Sequence, residues 1–376
     1  MNKKEVLEIK KQFKPSECCI SRMSACYVNG EREATRIDTS SFLTLPEEEI
    51  YKYFEIFKKS LSGSIGKNLL NLDFPLQEEA EDGMQKFLLD LRNSELKDEE
   101  LLENFFDSII THYDYAGNYL ILLTLSNYDV PGKTTDGHSL EDASDEVYTY
   151  LLCSICPVER SKPGLSYNEE TKCVENRYRD LIVKAPDTAF LFPAFNDRGT
   201  DLHACLYYTR DGKELREELI EHVLGCPIPM AAESQKKTFQ SIITDTLGVD
   251  CDYETVKNIH DNLTELMEES KLNEEMLVLD KEKVRNLFET SGVDDALMEH
   301  FEENYNSAIG KDAELIANNV ADTKTFQVKT PNVTIKVDPE MSHLVQEKEI
   351  DGEKCLVVRI DGGVEVNGIM VKDKLK

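Results

Sequence analysis

Four uninterrupted apolar runs constrain the fold of this chain more than any other feature. They cover residues 118–126, 147–155, 188–195 and 202–208. Each run is apolar at successive positions rather than at alternate ones, so a strand formed from it is apolar on both faces. Such strands lie in the middle of a sheet, where other elements cover them. The sequence therefore predicts four central strands.

Helical periodicity precedes these runs. Apolar residues recur at helical spacing within residues 3–13, and Pro46 followed by three glutamates starts a second helix. Two further helices are predicted near 77–93 and 97–112, and a strand over 18–28 that ends in a tight turn. A helix is also predicted over 213–224. Together these elements predict an α+β fold, with a mixed sheet on which the early helices pack.

The remainder of the chain changes in charge and in period. Residues 232–310 carry 19 acids against seven bases and have helical spacing, whereas apolar residues alternate from residue 325 onward. Hairpin turns are predicted at Asp351-Gly352 and at 361–363. We therefore predict an α+β domain over residues 1–230, a helical segment over 231–320 and a small antiparallel β domain over 321–376.

The charge balance excludes one class of partner. The chain has 43 Lys and Arg against 73 Asp and Glu, a net charge of −30, which would repel the phosphates of a nucleic acid. The sequence has no run of about 18 apolar residues, so no membrane span is predicted. The first residues also lack the apolar core of a signal peptide. Ten cysteines without such a signal indicate reduced thiols. We expect a cytoplasmic protein that binds neither nucleic acid nor membrane.

Charged and polar residues are concentrated between the last two apolar runs. Asp197, Arg198, Asp201 and His203 lie within eight residues of one another. One interpretation is a structural turn, in which Arg198 pairs with Asp187 or Asp201. The other is a site in which Asp197, Asp201 and His203 bind a divalent metal, or in which Arg198 clamps an anion. These four residues are the candidate catalytic residues, and no cofactor or metal is predicted from the sequence.

Two further motifs have weaker functional interpretations. Cys153 and Cys156 form a CxxC pair, but it follows an apolar run and lacks the second pair that a zinc site needs. Buried structural thiols are expected there, with a redox pair as the alternative. The acidic stretch over 136–146 lacks the ligand order of a calcium loop and is expected to be a solvated loop.

Five strings along the chain resemble one bacterial family. They are KKEVLEIKKQFKPSEC, LSGSIGKNLLNLDFPL, YLLCSICPVERSKPGLSYN, FLFPAFNDRGTDLHACLYY and GVEVNGI. The family is a domain of unknown function found in anaerobic Gram-positive bacteria. The resemblance implies a cytoplasmic protein that forms one family-length unit, and it supplies no catalytic residues.

The sequence as a whole favours a protein that binds a protein or small-molecule partner, in a regulatory or scaffold role. Two enzymatic alternatives stay open: a metal- or anion-dependent hydrolase or transferase centred on residues 196–203, and a thiol redox protein that uses Cys153 and Cys156. A pocket containing the 196–203 residues would favour the first alternative.

Overall fold

A computed structural model describes residues 1–37, 42–133, 139–272, 276–310, 314–321, 325–360 and 362–371. The chain divides into two compact units, Met1–Ala231 and Ala232–Lys376. The acidic stretch predicted as a loop begins outside the described residues, at 136–138. Its backbone from residue 139 onward is strand rather than loop.

In its described residues, the first unit combines five α-helices with a large sheet. The helices of its described part are α1 (Lys3–Lys11), α2 (Glu47–Ser60), α3 (Met84–Asn93), α4 (Glu99–His112) and α5 (Glu217–His222). The strands are β1 (Ile20–Val28), β2 (Ala34–Ile37), β3 (Leu69–Asp73), β4 (Asn118–Lys133), β5 (Ser139–Arg160), β6 (Leu165–Asn168), β7 (Cys173–Asn176), β8 (Leu181–Val183), β9 (Thr188–Phe192), β10 (Ala194–Asn196), β11 (Gly199–Asp201) and β12 (Ala204–Thr209).

The main sheet has the order β2-β1-β4-β5-β9-β12-β3, and β8 pairs with β5. The four apolar runs form β4, β5, β9 and β12, which are adjacent in the interior of this order, as their pattern predicts. Within the described chain every strand pair of this sheet is antiparallel, where a mixed sheet was expected. The α+β class is confirmed. Strands β4 and β5 are consecutive in the chain and pair along most of their length, and antiparallel neighbours need only a short stretch of chain between them, whereas parallel neighbours need a dozen or more residues.

Helices cover both faces of the sheet. On one face α1 and α2 pack their apolar sides on the strands, and the rings of Phe13 and Phe57 lie 5.5 Å apart. On the other face α3, α4 and α5 form a second core, in which the rings of Phe105 and Phe190 lie 6.2 Å apart. Because each fully buried Phe contributes roughly 1.5–3 kcal/mol, these two cores hold the helices on the central strands.

Short side-chain caps fix where the helices begin. Asn2 accepts hydrogen bonds from the first turn of α1, and the Glu5 carboxylate accepts a bond from the Asn2 amide, which forms a capping box. Asp98 caps α4 by accepting hydrogen bonds from the Glu100 and Leu101 amides. Glu5 is 6% exposed, so this cap is held inside the unit rather than on its surface.

The second unit begins with helices and ends with hairpins. Its described helices are α6 (Ala232–Leu247), α7 (Tyr253–Leu272), α8 (Lys281–Thr290), α9 (Asp295–Met298), α10 (Phe301–Ile309) and α11 (Ala317–Val320). Its strands are β13 (Val278–Leu279), β14 (Leu315–Ile316), β15 (Phe326–Lys329), β16 (Thr334–Val337), β17 (Val345–Ile350), β18 (Glu353–Val358), β19 (Val364–Val366) and β20 (Ile369–Val371).

The turns of these hairpins agree only in part with the sequence. The predicted turn at Asp351-Gly352 joins β17 to β18, and both residues have positive φ. The predicted hairpin turn at 361–363 begins at a residue outside the described ranges, and its flanking strands pair elsewhere. The last hairpin instead turns at Asn367-Gly368, which joins β19 to β20. Asn-Gly tolerates the positive φ that a two-residue hairpin turn requires.

None of the helices in the described ranges combines the length and the apolar character that crossing a membrane requires.

Candidate functional site

Residues 196–203 form a hairpin rather than a simple link between two central strands. Strands β10 and β11 pair with Asn196 opposite Gly199, which leaves a two-residue turn of Asp197 and Arg198. Both turn residues have positive φ, 50° and 61°. This is the geometry of a type I′ turn, and the left-handed region is unfavourable for arginine, so surrounding contacts must hold the turn in place.

Helix α1 supplies these contacts. The buried Glu5 accepts a hydrogen bond of 2.8 Å from the Asp197 amide, and the other oxygen of the same carboxylate caps the helix. One turn further on, Glu8 accepts bonds from the Arg198 guanidinium at 3.1 and 2.9 Å. Two successive turns of one helix thus bind the backbone and the side chain of the turn.

The partner of Arg198 differs from the expected one. Its ion pair is with Glu8, not with Asp187 or Asp201, and it also donates to the Pro131 carbonyl at 3.1 Å. Asp187 instead pairs with Arg216, and Asp201 accepts a bond from the Asn196 side chain. The partner was missed because Glu8 is separated from Arg198 by 190 residues, a distance along the chain that local reasoning does not reach.

The remaining candidate residues point to separate partners. His203 has a side chain that is 73% exposed and pairs with Glu79 at 2.6 Å, and this hydrogen bond raises the pKa of the imidazole above its ordinary value. Asp201 accepts a bond from the His203 amide. Arg198 and His203 therefore bind different parts of the fold, whereas Asp201 bonds within the 196–203 segment itself.

This arrangement favours a structural role for the hairpin. The guanidinium that could clamp an anion already faces a carboxylate. Within the ranges that the structure covers, which include all of 196–203, no three His, Cys, Asp or Glu side chains are grouped so that they could hold one metal ion. The geometry accordingly gives the metal-site interpretation no support.

Cys153 and Cys156 lie on opposite faces of β5. Cys153 belongs to the core under α3–α5, and Cys156 to the core under α1 and α2. Residues three apart in a strand point in opposite directions, so the two thiols are separated by the sheet itself. Burial raises the pKa of Cys156 to about 12 and that of Cys153 well above its ordinary value. Both features oppose a thiolate redox pair.

A cleft that the sequence did not reveal lies at one end of the main sheet, on the face that α3, α4 and α5 cover. Its volume is about 490 Å³. Strands β1, β4 and β5 form its floor, and the end of α3 with the turn that follows forms its wall. Its lining residues are Ser21, Arg22, Arg92, Asn93, Glu95, Lys97, Leu125, Asn127 and Thr149.

The cleft is cationic in an acidic protein. Arg22, Arg92 and Lys97 line it, against the single carboxylate of Glu95, which gives a local charge of +2 where the whole chain carries −30. Lys97 binds Glu95, and this contact lowers the pKa of the exposed carboxyl group. The side chain of Arg92 is half-buried, and this burial lowers the pKa of its guanidinium.

Hydrogen-bond donors complete the cleft. The Asn127 side-chain oxygen accepts a bond of 2.9 Å from Thr149, and the Asn93 oxygen accepts bonds from Arg92. Each amide oxygen is therefore occupied, which leaves the two amide nitrogens as donors. Arg22 uses one nitrogen on the Leu96 carbonyl, at 2.9 Å, and its other nitrogens have no partner in the described part of the chain.

A strained turn holds the wall of the cleft. Glu95 and Leu96 are consecutive non-glycine residues with φ of 55° and 53°. Leu96 is 2% exposed, so its side chain is anchored in the core while its carbonyl accepts the Arg22 bond. Backbone strain of this kind costs on the order of 1–3 kcal/mol per residue and is concentrated at functional sites.

Sequence reasoning missed this cleft because its residues come from four separated segments. One signal was present: Arg22 interrupts the otherwise apolar and small residues of β1. A charged residue on the covered face of a strand must find a partner or line a cavity.

The fold and the site define an α+β protein with an antiparallel sheet between two helical layers and a cationic cleft at one end of that sheet. A family model for a domain of unknown function, DUF4317, matches residues 1–369, and the chain belongs to that family. A search of curated proteins found no match.

Proposed function

We propose that this protein acts by binding, and that the cleft beside Arg22 and Arg92 takes a small anionic molecule. The observation that carries this proposal is the concentration of three cations and several unpaired donors in one cleft of a strongly acidic chain. Clustered guanidinium groups match carboxylate and phosphate oxygens, to which they donate paired hydrogen bonds.

The size of the cleft supports a small ligand rather than a polymer. Its volume of about 490 Å³ is in the range of sites for small molecules and cofactors. A phosphorylated or polycarboxylate metabolite fits both this size and the polar lining. The negative charge of the remaining surface is screened beyond about 8 Å at physiological salt, so the local cations dominate inside the cleft.

The setting of this function rests on the sequence. The resemblance of its five strings supports a cytoplasmic protein of anaerobic Gram-positive bacteria. Ten cysteines, all free in the structure, are consistent with a reducing compartment. The acidic surface supports a protein without nucleic-acid partners.

Isothermal titration calorimetry tests the proposal. Inorganic pyrophosphate and citrate serve as probes of phosphate and carboxylate chemistry. The wild-type protein should bind at least one of them with one site per chain, and Arg92→Gln should weaken that binding at least about tenfold, because it removes a partly desolvated charged donor.

Arg36→Gln is the matched control. Arg36 is on β2, has a side chain that is 31% exposed and pairs with Glu99 outside the cleft. Binding should be unchanged in this variant. Equal losses in both variants would mean that the probes sense overall charge only, and failure of the wild-type protein to bind either probe would contradict an anion site.

A further inference from the structure

A β-hairpin arm, residues 160–184, contains an apolar face without a cover in the described chain. Its strands β6 and β7 form a two-stranded sheet separate from the main sheet. Tyr167 lies opposite Val174, and Leu165 lies two residues before Tyr167 on the same face. These three side chains are 59%, 64% and 76% exposed.

The arm is amphipathic. The opposite face of the same two strands carries Ser166, Asn168, Cys173 and Glu175, which are polar or small. An isolated two-stranded hairpin is marginally stable in water, and a packed apolar face is what normally stabilises it. Three exposed apolar side chains on one face of such a hairpin therefore indicate a contact surface.

The charge of the arm differs from that of the rest of the chain. Residues 160–184 contain six Lys and Arg against four acids, a net charge of +2, which leaves 37 bases and 69 acids, or −32, for the remainder. Two copies of this chain repel each other over most of their surface. The arm lacks the excess of acids that causes this repulsion, so the order of its own charges decides how two arms meet.

The charges are also ordered along the arm. The turn at its tip contains Glu169 and Glu170 with Lys172, whereas its base contains five cations and Asp180. The cations of the base are Arg160, Lys162, Arg177, Arg179 and Lys184. Lys184 pairs with Glu159 at 3.6 Å, and none of the other tip or base side chains forms an ion pair with another described residue.

We propose that the arm binds the arm of a second copy of this chain. The two apolar faces pack together in antiparallel orientation about a twofold axis, so that the acidic tip of each arm meets the basic base of the other. A twofold interface requires a surface that is complementary to itself, and this ordering of charge satisfies that requirement. The segment that would cover Leu165, Tyr167 and Val174 is thus the same segment of the partner copy.

Sedimentation equilibrium over a range from about 1 to 200 µM tests this inference on the full chain. The wild-type protein should dimerise, and Tyr167→Asp should raise the dimer dissociation constant at least about tenfold. Ser166→Asp adds the same charge on the polar face of the same strand and should leave dimerisation unchanged. Far-UV circular dichroism of each variant checks that the fold is retained.

Charge exchange distinguishes this arrangement from others. Lys162→Glu with Arg177→Glu should weaken the dimer, and adding Glu169→Arg with Glu170→Arg should restore it, because tip and base then attract again. A wild-type protein that is monomeric over the whole concentration range would overturn the proposal, as would a dimer that survives Tyr167→Asp. It would also be overturned if the quadruple variant dimerised as weakly as the double variant of the base.

Discussion

Removal of the Arg198 side chain should destabilise the first unit substantially. The side chains of Arg198 and Glu8 are 22% and 25% exposed, so their ion pair is shielded from most solvent screening. Arg198→Ala removes the guanidinium bonds to Glu8 and the bond to the Pro131 carbonyl, whereas Glu8 keeps the Tyr128 hydroxyl at 3.0 Å. A partly buried charge-assisted network of this size is worth roughly 2 kcal/mol.

Two further variants separate the side chain from the backbone. In the left-handed region glycine is favoured over alanine by roughly 1 kcal/mol, so Arg198→Gly should cost about that much less than Arg198→Ala. Combining Glu8→Ala with Arg198→Ala should destabilise less than the sum of the single changes, by about 1–2 kcal/mol, because both remove the same pair.

Urea unfolding followed by circular dichroism measures these effects, and hydrogen exchange of α1 amides shows whether the loss is local to the hairpin contact. The exposed His203 provides the comparison, and His203→Ala should change stability less than Arg198→Ala. Catalytic groups behave in the opposite way, since their removal is often neutral or stabilising. Neutral or stabilising results for Arg198→Ala and for Asp197→Ala would refute the structural interpretation.

Three other predictions follow from buried groups. In native protein, iodoacetamide should label the exposed Cys173 rapidly and the buried Cys156 only after unfolding, which mass spectrometry of peptides can measure; labelling of both at one rate would contradict the burial of Cys156. Burial, the largest cause, lowers the pKa of His260 below its ordinary value of 6.5, so the neutral form is favoured in the folded state. The stability that the buried neutral imidazole contributes is therefore fully present above pH 6.5 and is lost as the pH falls through the lowered pKa. His260→Gln should accordingly reduce the loss of stability on acidification. Asp187→Asn should cost about 1 kcal/mol in urea melts, because Arg216 and the Tyr113 hydroxyl both donate to that carboxylate, and an unchanged midpoint would show that the network is not stabilising.

The central strands could be predicted from the sequence because a strand that is buried on both faces consists of apolar residues at successive positions. The runs that became β4, β5, β9 and β12 have no polar alternation to confuse with a surface strand. The edge strands β2 and β3 were missed. They are four and five residues long, and β2 is exposed along its whole length, so neither contains a comparable run of apolar residues.

The candidate site was harder to predict for a different reason. The composition of 196–203 located a real structural feature, but its partners, Glu5 and Glu8, come from the other end of the unit. The cleft joins residues as distant as Arg22 and Thr149. Local spacing carries no information about contacts of that separation, whereas the opposite faces of Cys153 and Cys156 follow from strand period alone once the strand is identified.

The most direct test of the anion site is a crystal structure of the protein with selenate, whose selenium atom is located by anomalous scattering. We predict a selenium peak in the cleft, within hydrogen-bonding distance of the guanidinium groups of Arg22 and Arg92, and no such peak in Arg92→Gln. An ordered and accessible cleft without selenium, at a selenate concentration that calorimetry shows to be saturating, would contradict the proposed function.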